Sequence, residues 1–149
     1  MNKSKILKLE SKNFRVNSDD WIKKTKNYLK ILESPTKDIW EINEGELRGE
    51  QLFTWDSAIR ETKKANKRIP TDEEWGKLVD TKEDIENLLF AGHCYTNGCF
   101  CSQGSDTNFW SSSESSTDAW MRYLFSSYSI VGRHTFDKAL GFSVRCIQD

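Results

Sequence analysis

Apolar residues recur at helical spacing in the first half of the chain and at alternate positions in the second, and that change of period predicts the architecture. Residues 18–32 place Trp21, Thr25, Tyr28, Leu29 and Leu32 on one face, with Ser18 as N-cap and acids in the first turn. "SPT" at 34–36 ends this amphipathic helix, and 38–42 read as a short strand followed by a polar turn. Trp55, Ala58, Ile59 and Thr62 recur at i, i+3, i+4 and i+7, which predicts a helix over 55–66 capped by Thr54. Pro70 interrupts, and Thr71 with Glu74 has the spacing of a capping box ahead of Trp75, Leu78 and Val79, so a further helix begins there. A short helix over 82–90 would turn Ile85, Leu88 and Leu89 inward. From Ala91 onward the period falls to two, and 108–112, 119–125, 128–136 and 142–147 read as strands. Helices first and an antiparallel sheet after give an α+β fold.

Alternation leaves one question open on the strand at 119–125. Met121, Tyr123 and Phe125 share one face, and Trp120, Arg122 and Leu124 the other. Past the Ser126–Ser127 turn, Tyr128, Ile130, Gly132, His134 and Phe136 continue a series that can share the first face across a hairpin. Trp120, Leu124 and Val131 suffice for a core on the other side, whereas Gly132, His134 and Asp137 are poor residues for a dry interior. That favours display of the aromatic face over burial.

Composition adds bulk and removes some partners. The hydrophobic fraction of 36% is low, yet six Trp, eight Phe and four Tyr supply enough apolar area for a folded domain. With 22 Lys plus Arg against 23 Asp plus Glu the formal charge is −1, so no overall field draws the chain to nucleic acid or anionic lipid. No apolar run reaches the roughly 18 residues a membrane helix needs, and "MNKSKILKLESKNF" lacks an apolar stretch and a cleavage site. The expectation is a protein without membrane insertion, cytoplasmic or virion-associated.

Four segments, "NKRIPTDEEW" (66–75), "FTWDSA" (53–58), "NFWSSSES" (108–115) and "GFSVRC" (141–146), resemble in their order and spacing the C-type-lectin-like domain of the formylglycine-generating-enzyme type. Within that group the chain is most similar to the variable proteins of diversity-generating retroelements, over residues 38–149; residues 1–37 form an N-terminal extension outside the resemblance. In that family a reverse transcriptase miscopies template adenines, so Asn codons become varied residues excluding Lys, Glu, Gln, Trp and Met. Tyr123, Phe125, Tyr128, Ile130, Gly132, His134, Phe136, Asp137 and Leu140 all belong to the accessible set. Met121 does not; it joins the candidate face by alternation alone. The resemblance implies a C-type-lectin-like fold and a non-enzymatic protein whose C-terminal face is varied to bind a ligand, either a protein or a cell-surface molecule. His93, Cys94, Tyr95, Cys99 and Cys101 are codon-accessible and form a second, nearby candidate set. The helix over 18–32, too short to stand alone in water, either packs on the domain or serves attachment or oligomerisation.

Other chemistry is weaker. Cys94, Cys99 and Cys101 have the spacing C-x4-C-x-C, not the C-x2-C pairing of structural zinc, so neither metal nor cofactor is expected. A disulfide from Cys94 to Cys99 or Cys101 stays open, and Cys146 reads as a small buried residue. An oxidase of the formylglycine-generating type would need an arginine- and glycine-rich segment that is missing here, and the carboxylate clusters of calcium-dependent lectins are missing too. A paralogous domain of the same fold with an adhesive or structural role shares nearly all the motifs.

Overall fold

The computed structural model describes residues 39–85 and 87–147; the helix read over 18–32 and the rest of the N-terminal extension lie outside these. The described chain is a mixed α+β arrangement of two helices and small antiparallel sheets. β1 (Ile39–Glu41) pairs with β2 (Gln51–Phe53), and α1 (Trp55–Lys64) and α2 (Asp72–Leu78) follow. β3 (His93–Cys94) and β4 (Phe100–Cys101), two residues each, pair as a hairpin across the turn at 95–99. The main sheet is a meander of β5 (Asp106–Ser115), β6 (Asp118–Phe125) and β7 (Gly132–Asp137).

Both helix starts follow from local chemistry. The Thr54 side chain accepts from the Ser57 N–H. Thr71 and Glu74 close a reciprocal capping box, and Glu74 also forks onto Arg68 at 2.6 and 2.9 Å. The Arg68 guanidinium is the main reason the Glu74 carboxyl is held down at about 2. α2 is shorter than the apolar spacing predicts, because Val79 already lies in extended conformation as its C-cap. The helix expected over 82–90 is a correction: only a 3-10 turn at Lys82–Asp84 forms, with Ile85 buried and Leu88 and Leu89 half-buried in irregular chain.

Two other departures lie at the C-terminal end. β7 begins at Gly132, not Tyr128, because residues 126–131 form a loop tied to the α2 exit: Lys82 N–H donates to Ser129 O at 2.8 Å and Val131 N–H to Asp80 O at 3.2 Å. The terminal segment 141–147 is no ladder strand. It is buried throughout and makes single bridges to β2, β3, β5 and Arg68 through Phe142, Gly141, Ser143 and Ile147. Gly141 is required there, since a Cβ would stand 2.8 Å from the Trp40 ring and 3.0 Å from Cys94 Cβ.

Apolar side chains pack against both faces of the main sheet. On one, Trp110, Ala119 and Met121 join Ile39, Phe53, Phe142 and Val144. On the other, Phe109 and Leu124 meet Trp75, Leu78 and Ile85. Trp120, read as a core residue, is half-buried, and its ring is covered by the Arg133 guanidinium 3.5 Å from the centroid. β5 and β6 therefore alternate between two interiors, whereas β7, none of whose residues is buried, forms the open edge.

Candidate functional site

The aromatic face is neither wholly inside nor wholly displayed. The register sets Trp110, Asn108 and Asp106 of β5 opposite Met121, Tyr123 and Phe125 of β6, and sets His134 and Gly132 of β7 opposite Met121 and Tyr123. All these side chains share one face, since directly paired residues point the same way. Along it, burial falls from the Trp110–Met121 end, at 0%, to Phe125, 46% exposed at the other. Core packing and display occupy opposite ends of the same strands.

At the open end lies a pocket of about 400 Å³. β6 and β7 contribute Tyr123, Phe125, His134 and Phe136, and Leu140 and Phe142 close one side. His93 and Tyr95 reach it from β3 and the turn after it, while Asp106 and Asn108 come from β5. The rings form edge-on chains: Tyr123 to Phe125 at 5.8 Å, Phe125 to Tyr128 at 6.1 Å, and His93 to Tyr95 at 5.3 Å between centroids. Phe136 stacks tilted on His134 and stands edge-on to the buried Phe142, so the exposed rim is braced by the core.

The polar groups of the pocket meet at Asp106. Its Oδ1 accepts from Asn108 Nδ2 at 3.1 Å and lies 3.5 Å from His93 Nδ1. Asn108 Nδ2 also donates to the Gly92 carbonyl at 3.4 Å, which fixes the hairpin carrying His93 against β5.

The candidates divide accordingly. Tyr123, Phe125, His134, Phe136 and Leu140 line the pocket with His93 and Tyr95 of the second set. Tyr128 and Ile130 are the most exposed large apolar side chains, at 65% and 73%, but stand on the 126–131 loop outside the pocket. Asp137 is exposed at the end of β7, where its carboxylate accepts from the Ala139 N–H at 2.9 Å. Two candidates are corrected. Met121 is fully buried in the core beneath the face, and Cys94 is fully buried among Trp40, Ile42, Leu52 and Ala91. Neither offers side-chain surface to a ligand. Cys99 is exposed and Cys101 half-buried outside the pocket, and none of the four cysteines is in a disulfide. Burial pushes the Cys146 thiol up to about 11.

Asp106, Asn108 and Phe142 are the pocket residues that the sequence reading missed. Carrying the alternation of the strand at 108–112 back two residues puts Asp106 beside Phe125, the signal for the two β5 residues.

Gly132 acts by absence of a side chain. A Cβ there would fall 2.1 Å from the Tyr123 Cζ, so the Tyr123 ring lies flat across this glycine on the neighbouring strand. Gly132→Val is expected to evict the ring and reshape the pocket while costing only about 1–2 kcal/mol, because the obstacle is a movable side chain. A crystal structure or Tyr123 ring NMR shifts would check it; a ring left in place would contradict the packing argument.

No family model, curated protein or solved structure matches the chain. Among the described residues no group of three or more His, Cys, Asp or Glu is placed to hold a metal, and no helix is long and apolar enough to cross a membrane.

Proposed function

We propose that this chain is a non-enzymatic recognition protein with a C-type-lectin-like fold, whose C-terminal face is varied by a diversity-generating retroelement to bind a protein or cell-surface ligand. One observation carries the reading: residues accessible from Asn codons, separated by some thirty positions in sequence, converge from β6, β7 and the β3 hairpin on one aromatic pocket. An ordinary buried sheet face would need no opening there, and a loop surface would need no alternation. Rings suit the task because they give large contact area for little lost conformational freedom, and a few central anchors dominate binding energy. The residues that alternate with them on β7 hold the frame, with Arg133 stacked on Trp120 and paired to Asp72.

The test is genetic. The neighbouring DNA should carry a reverse transcriptase gene and a near-copy of the codons for residues 93–149, with Asn codons at Tyr95, Tyr123, Phe125, Tyr128, His134 and Phe136. Sequences from sister isolates should differ at those positions and agree at Trp110, Gly141 and Arg145. Absence of the near-copy, with identical pocket residues in every isolate, would leave the undiversified paralogous domain as the better reading.

A further inference from the structure

The pocket is lined by rings, by one carboxylate and by no lysine or arginine. Aromatic faces carry negative potential and attract a cation within about 6 Å of the ring centroid. Asp106 adds a carboxylate in the same opening; its Oδ1 accepts from Asn108 and faces His93 Nδ1 at 3.5 Å, while Oδ2 takes no hydrogen bond from any described residue. The rings and the remaining carboxylate oxygen together suit a ligand that is flat, weakly hydrated and positive.

The protein already binds such a group elsewhere. On the opposite face of the same sheet, the Arg133 guanidinium stacks 3.5 Å above Trp120 while its Nε and Nη2 fork onto the Asp72 carboxylate at 3.0 and 2.7 Å. That is a ring beneath and a carboxylate at the edge, the two surfaces for which guanidinium is better suited than ammonium. In the pocket the same two kinds of group lie side by side, Asp106 being paired directly opposite Phe125 and two residues from the Tyr123 pair. The apolar surface also continues beyond the pocket through Phe125 to the exposed Tyr128, more area than a small free cation would cover.

We propose that the pocket is the anchor site for an arginine side chain of a protein partner, with the guanidinium stacked between the pocket rings and facing Asp106. This rests on reading the face as a recognition surface, and it names the chemistry that this particular chain selects.

The experiment is an NMR titration of the full chain with N-acetyl-arginine-N-methylamide, its neutral citrulline counterpart and the lysine amide. The arginine amide should bind at least about tenfold tighter than citrulline, which a cation–ring contact and the facing Asp106 carboxylate supply together, and should shift the signals of Tyr123, Phe125 and His93. Asp106→Asn should cut that preference to about twofold with an unchanged melting temperature. Should that variant fail to fold, the same preference must shrink in the parent as salt rises. Equal affinity for arginine and citrulline, tighter binding of lysine, or shifts confined to residues outside the pocket would each overturn the proposal. Equal affinity alongside a retroelement near-copy would sink the arginine anchor alone, whereas a missing near-copy bears only on diversification.

Discussion

Trp110→Ala is expected to cost about 3–5 kcal/mol, the range for removing a large buried aromatic, and to lower the melting temperature by more than about 10 °C in a domain of this size. Trp110 is fully buried at the crossing of β5 with the terminal segment, its ring 4.4 Å from that of Phe142. Its indole N–H donates to the Phe53 carbonyl at 2.8 Å. The same carbonyl also accepts from the Phe142 N–H at 2.9 Å, so the substitution leaves no bare acceptor and the loss is that of a cavity. Core and rim meet at this ring: Trp110 pairs with Met121, the buried end of the aromatic face, and packs on Phe142, which braces Phe136 at the rim. By contrast, Phe125→Ser, Tyr128→Ser and Ile130→Ser should each shift stability by no more than about 0.5 kcal/mol, as exposed sites do. Trp120→Ala falls between, its ring being half-buried under Arg133. Thermal melts of these five variants check the division of the face; a collapse of the Tyr128 and Ile130 variants would mean that the loop is core and not rim.

The sequence was most legible where a local rule decides the outcome. The Thr71–Glu74 box is a matter of spacing, and it forms as spaced. The alternation on β6 sorts Met121, Tyr123 and Phe125 onto one face, and they share it. Alternation does not say what lies above a face, and here a helix, the β1–β2 pair and the terminal segment cover one end only. Met121 and Phe125 are thus alike in sequence and opposite in burial. Residues 128–131 alternate like a strand but are claimed by carbonyl and amide groups of residues 80–82, a tertiary competition that periodicity cannot register. Residues 142–147 fail for the reverse reason: buried throughout and bridged singly to β2, β5 and Arg68, they do not belong to one ladder. Trp120 looked like core because a large apolar ring at an inward position usually is; a guanidinium two residues into the next strand does the covering instead.

Asp72→Ala is expected to cost about 3 kcal/mol or more, because it strands a buried cation. Arg122 lies on the face of β6 turned toward α2, only 5% exposed, with Nη1 against Asp72 Oδ1 at 2.5 Å and Nη2 on the Asp72 carbonyl at 2.9 Å. Arg133 reaches the same carboxylate from β7, so one side chain at the first turn of α2 pins two strands. Arg133 is half-exposed and its share is screened by solvent; most of the loss comes from Arg122. Hydrogen bonding from Arg133, then from Arg122, holds the Asp72 carboxyl below its ordinary 3.8, against the opposing effect of burial. Glu74, two residues on, is held down at about 2 from 4.5 by Arg68. A carboxyl depressed in the folded state contributes stability that is whole above its unfolded value and drains away as acid protonates the folded form. Stability should therefore be level above about pH 5 and fall between about pH 4.5 and pH 2. Asp72→Ala should flatten part of that slope as well as lower the plateau, since the group that titrates is gone. Urea melts from pH 7 to pH 3 measure both; a variant that loses plateau stability yet keeps the full acid slope would show that Asp72 acts through packing and not through its charge.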